Sequence, residues 1–175
     1  RPSLLKNEIL VQYVIDTAIY NKYDQIIDLI FNKIPKPPRT HISSLLQKTV
    51  RTKYHYLFRR LWNTCKDECI GQDANQELLQ MACVMGDKNM YHEILNMDGG
   101  LSVFFRDYKR IMLLSTENHN FEIATHILEK GEIHEFNCCN FMHTIFWKYT
   151  IAHNIPFAKR ILYYYPAITE IPPIN

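Results

Sequence analysis

LQMACVMGDKNMYHEIL, residues 79 to 95, decides the fold. Leu79, Ala82 and Cys83 recur at helical spacing, a turn-prone break follows at Met85 to Asp87, and a second apolar set closes on Ile94 and Leu95. This pattern predicts a helix, a tight turn and a second helix. Four other segments align with it without gaps: IDTAIYNKYDQIIDLIF (15–31), LQKTVRTKYHYLFRRLW (46–62), MLLSTENHNFEIATHIL (112–128) and FWKYTIAHNIPFAKRIL (146–162). Their starts lie 31, 33, 33 and 34 residues apart, a period that marks a helical repeat.

The fourth position of each segment is small or compact: Ala18, Thr49, Ala82 and Ser115, with Tyr149 as the exception. A small residue there lets neighbouring inner helices approach closely. Each segment ends on large apolar residues, as in Ile30 and Phe31, Leu61 and Trp62, and Ile127 and Leu128. No single helix pair can hide such a face, so the units are expected to stack into an all-α solenoid of about five repeats, one domain over residues 1–175.

Composition agrees. The chain has 175 residues, 47% of them hydrophobic and 22% charged, and only five glycines and eight prolines serve turns, which disfavours a sandwich or barrel. No apolar run approaches the roughly 20 residues that span a bilayer. An odd cysteine count of five, with no secretory pattern, points to a reducing compartment, the cytoplasm with the nucleus as an alternative. The chain opens on Arg1, as a piece of a longer array would.

LLQMACVMGDKNMYHEIL resembles an ankyrin repeat: Leu79, Ala82 and Cys83 for the paired alanines, Gly86 for the inter-helix glycine, then Ile94 and Leu95. LLSTENHNFEIATHILEKG is similar through its second helix, from Phe121 to Leu128 and then Gly131. No unit has the Thr-Pro-Leu-His opening, and Lys22, Lys53, His119 and His153 stand where the third unit has Gly86, which leaves the form of the hairpin tips open. Degenerate arrays of this kind resemble host-modulating proteins of large DNA viruses, including multigene families of African swine fever virus, and effectors of intracellular bacteria. The resemblance implies a non-catalytic module that binds a host or partner protein through a concave surface.

The family's groove-facing positions fall just before, and two to three after, the small residue. They are Lys48 and Arg51 in the second unit, Met81, Val84 and Met85 in the third, and Glu117 and Asn118 in the fourth. The three apolar residues mark the expected centre of contact. A second surface comes from charge. No Asp or Glu occurs from Leu29 to Lys66, a span that holds Lys48, Arg51, Lys53, Arg59 and Arg60 beside Tyr54, Tyr56 and Phe58. Cations interleaved with aromatics suit phosphate contact and base stacking, so nucleic-acid binding is the alternative function. A solvated helix face is the plain reading of the same residues.

HEFNCCNFMH (134–143) brackets Cys138 and Cys139 with His134 and His143. Adjacent cysteines seldom reach one tetrahedral zinc, and no second ligand pair is near in sequence, so no metal and no cofactor is expected. The stretch reads as a connection between units, with Phe136, Phe141 and one cysteine packing. Cys65 and Cys69 of CKDEC read as a helix end. No nucleophile elbow, zinc-protease motif, phosphate loop or CxxC pair is present, and no catalytic residue is expected.

Overall fold

The computed structural model describes residues 8–33, 39–65, 72–97, 99–132, 139–150 and 154–170. Every regular element among them is helical. The α-helices are α1 (Glu8–Asn21), α2 (Asp24–Lys33), α3 (Arg39–Arg51), α4 (His55–Cys65), α5 (Gln72–Met85), α6 (Lys88–Leu95), α7 (Gly100–Arg106), α8 (Tyr108–Glu117), α9 (Phe121–Glu132), α10 (Cys139–Thr144) and α11 (Ile155–Tyr164). A π-helical segment, Ile145–Thr150, continues α10, and a 3-10 turn, Pro166–Glu170, follows α11. The chain forms two compact units, Arg1–Ala74 and Asn75–Asn175.

The first four aligned segments are helix–turn–helix; in the fifth, a π-helical stretch and α11 flank residues 151–153, where His153 lies outside the described residues. The turns share one geometry. Lys22, Lys53, Gly86 and His119, equivalent in the alignment, have φ of 55°, 53°, 64° and 58°. At three of them the amide of the left-handed residue bonds back three residues: Lys22 to the Ile19 carbonyl, Lys53 to Val50 and His119 to Thr116. The next amide bonds back five, from Tyr23 to the Ala18 carbonyl at 2.9 Å, Tyr54 to Thr49 at 2.8 Å and Asn120 to Ser115 at 2.8 Å. This pair of bonds satisfies two helix-end carbonyls. The hairpin tips therefore keep the glycine-type conformation without glycine.

In these three pairs the small fourth residue is the one whose carbonyl takes the longer bond. Ala18, Thr49, Ala82 and Ser115 are all buried. The buried hydroxyls of Thr49 and Ser115 donate to Leu46 O at 2.7 Å and Ile111 O at 2.8 Å, so neither is left unsatisfied.

In the first unit α1 packs on α2, α3 on α4, and α2 on α4. Ile19, Ile27, Leu46, Leu57, Phe58 and Leu61 fill its core, each worth about 1.5–3 kcal/mol when fully buried. In the second unit α8 packs on α9, and α9 lies against both α6 and α11. Two N-caps define helix starts there: Asp87 accepts from the Met90 amide at 3.1 Å, and Asn154 from the Phe157 amide at 2.8 Å.

Helix α7 lies between the third and fourth segments, a stretch that the alignment leaves unassigned. Gly131 sits inside the last turn of α9; a Cβ there would fall 2.1 Å from the Tyr108 ring, so the glycine serves close packing. Cys139 opens α10, so the second half of the His/Cys stretch belongs to the fifth unit's first helix.

Candidate functional site

On the first helices of the first four pairs, the fourth position and the residue after it are buried, and the residue before it is exposed or half-buried. Met81 and Met85 are half-buried on α5, and Val84 between them is 38% exposed. On α8, Glu117 and Asn118 are exposed. Asn118 donates from its side chain to Leu114 O at 2.8 Å, and Glu117 accepts from the Tyr149 hydroxyl at 3.0 Å. At the three equivalent positions the third pair therefore presents Met81, Val84 and Met85, all apolar, and the fourth presents Leu114, Glu117 and Asn118. Asn120 braces the α5 end: its side-chain amide donates to Cys83 O at 2.7 Å and Val84 O at 3.0 Å. A Cβ on Gly86 would fall 2.2 Å from the Asn120 side-chain oxygen, so only glycine leaves room for this brace.

In the first unit Lys48 is half-buried and pairs with Asp16 at 2.5 Å, while Arg51 and Lys53 are exposed. Arg60 pairs with Asp28 and lies 5.4 Å over the Phe31 ring, and the Tyr56 hydroxyl donates to the same Asp28 at 2.8 Å. Tyr54 is buried and donates to Asp24; burial first, then the bond to Asp24, raise its hydroxyl above the ordinary tyrosine range. Arg59 is exposed and engaged. The acids missing from residues 29–66 are thus supplied by α1 and α2, about one repeat upstream.

Pairs at this separation recur in the second unit. Lys88 meets Glu122 at 3.5 Å, Arg160 meets Glu129, and Tyr149 meets Glu117. The Tyr91 hydroxyl lies 3.1 Å from His126 Nδ1, and the His92 and His126 rings stand edge to face with centroids 4.6 Å apart. Burial lowers both histidines. His126 is held down to about 4, helped by His92, Lys130 and Lys88; His92 is lowered further by Lys88 and Lys130. This cluster escaped the sequence reading, although its 34-residue offset matches the repeat.

His134 and Cys138 lie outside the described residues, as do the Pro-rich first connection (34–38) and Cys69. His143 is buried, with its ring 6.3 Å from that of Trp147. Among the described residues no three His, Cys, Asp or Glu side chains group as metal ligands would, and no helix is long and apolar enough to cross a membrane. Cys83 is buried and its thiol is pushed up to about 12, chiefly by burial, which suits packing rather than nucleophilic chemistry.

No known relative emerges from comparison. No protein-family model matches the chain, and neither the curated proteins nor the solved structures contain a significant match.

Proposed function

We propose that the chain is an ankyrin-like helical-repeat scaffold without catalytic activity, and that it binds a protein partner through the outward face of its first helices. The observation that carries this reading is the α5 face. Met81 and Met85 are half-buried and Val84 is exposed, on a helix whose Ala82 and Cys83 are fully buried. Apolar side chains left at the surface of a braced helix suit partner contact, and methionine adapts to shape. Glu117 and Asn118 flank this centre in the repeat register, and a polar rim of that kind directs orientation more than affinity. In the first unit, Lys48 and Arg51 hold the matching positions; Lys48 is paired with Asp16, and the exposed Arg51 would meet acidic groups.

The ion pairs of Lys48 and Arg60 favour a protein over a nucleic acid, because paired cations release few counterions from a phosphate backbone. By the resemblance, the partner is a host protein of defence or signalling, met in the cytosol. The test is affinity capture with the full chain and mass spectrometry. Changing both Met81 and Met85 to Asp should remove the partner while leaving the helical spectrum intact, because it buries unpaired charge in the contact. Capture that resists nuclease and survives Arg51→Glu with Lys53→Glu supports the protein reading. Capture lost on nuclease treatment, or unaffected by the methionine changes, overturns it.

A further inference from the structure

The second unit carries a basic cluster on a different surface, built from two adjacent helices. Lys88 and His92 are four residues apart on α6, and Glu122, His126 and Lys130 are spaced by fours on α9, so each set shares one helix face. The two faces meet. Lys88 contacts Glu122 at 3.5 Å, and the His92 and His126 rings lie 4.6 Å apart. The buried Tyr91 fixes His126 from below through its 3.1 Å contact with Nδ1. Two half-buried imidazoles therefore meet ring to ring, with Lys88 and Lys130 both near enough to act on them electrostatically and Glu122 paired with Lys88.

We propose that this cluster binds a phosphate monoester, held by Lys88 and Lys130 above the His92 and His126 rings, which take up protons from solvent as it binds. Lys130, the two imidazoles, and Lys88 once it leaves Glu122 supply donors that the phosphate oxygens accept, His126 through the ring nitrogen that Tyr91 leaves open. The imidazoles are the proton-linked part. The charged groups that bear on them are Lys88 and Lys130, together with each other, and all disfavour protonation. Glu93, next in sequence to His92, is half-buried and already engaged. The neighbouring helices direct their charges elsewhere. Arg106 of α7 donates to Gln76, Glu117 of α8 accepts from Tyr149, and Arg160 of α11 pairs with Glu129, while Lys109, Arg110 and Lys159 are exposed. An incoming anion would reverse the local balance and make protonation favourable. Linkage requires the converse, that acidification tightens anion binding.

The experiment is an NMR titration of the histidine ring signals of the full chain, in phosphate and in sodium chloride of equal ionic strength. Saturating inorganic phosphate should raise the midpoints of His92 and His126 by about one unit each, corresponding to a tenfold preference for each protonated ring. Lys88→Ala and Lys130→Ala should each reduce this shift, and the double variant should abolish it without altering the helical spectrum. Glu122→Gln should enlarge it, because a competing carboxylate is removed. Phenyl phosphate should match or exceed inorganic phosphate; a weaker response to the ester overturns the ester assignment. Equal midpoints in phosphate and chloride, or a shift that survives both lysine changes, overturns the site.

Discussion

The fourth and fifth helix pairs differ at one decisive position. In the fourth, Ser115 is buried, α8 runs as an ordinary helix to its left-handed turn, and the Ser115 carbonyl receives the Asn120 amide. In the fifth, Tyr149 takes the place of Ser115, and the chain winds as a π-helix over Ile145–Thr150. Tyr149 is half-buried, with its hydroxyl on Glu117. A tyrosine does not fit a slot shaped for serine. The wider winding changes the phase at which side chains leave the helix, and so brings this one to the surface. Side-chain volume at the fourth position decides whether a first helix stays regular up to its turn.

The largest effect should come from making the fourth pair resemble the fifth. Ser115→Tyr overpacks a fully buried site and should cost about 3 kcal/mol, read from the urea midpoint; Ala82→Leu should cost about 1–3 kcal/mol for the same reason. A melt unchanged by either substitution would detach the small residues from the account. Acid should come next. His92 and His126 are held below their unfolded value near 6.5, so the unfolded chain binds more protons as pH falls. Their contribution is fully present above pH 6.5 and is lost on descent toward about 4. Thermal melts in phosphate-free buffer should therefore drop over that window, and His126→Phe should flatten the drop. A pH profile identical in the variant would remove His126 as its source.

Smaller changes sharpen the turns. Lys22 and Lys53 hold the conformation that Gly86 holds at no steric cost. Left-handed backbone costs an L-residue about 1–2 kcal/mol, partly offset by the roughly 0.4–1 kcal/mol of added unfolded-state freedom when glycine enters. Lys22→Gly and Lys53→Gly should each stabilise the chain, by about 0.5 kcal/mol, in chemical denaturation. The smallest effect should be Tyr149→Phe, which removes one exposed hydrogen bond worth about 0.5 kcal/mol.

Much of the fold was legible because volume and periodicity are written locally. Ala18, Thr49, Ala82 and Ser115 announced the buried contacts, and the closing apolar pairs announced the second helices. The turns were harder. Lys22, Lys53 and His119 do not look like left-handed residues, and only their alignment with Gly86 gives them away. Helix α7 lies outside the repeat alignment, and the glycine pair at its start gives no helical signal; Gly99 takes φ of 79° and leads directly into the helix. The π-helix has no local signature apart from the misfit of Tyr149. The pairing of charge was the least legible feature. The acid-free span names no partners of its own, because Asp16 and Asp28 each pair with a cation 32 residues onward, Lys48 and Arg60. The same spacing of about one repeat hid the meeting of His92 and His126, since each histidine alone carries no sign of the other.

The central claim is that one left-handed residue, set by a buried small residue four positions earlier, closes the first helix of four pairs. Backbone couplings measured by NMR at Lys22, Lys53 and His119 test it directly. The account predicts positive φ at all three, alongside Gly86. Right-handed or extended φ at these residues would contradict it.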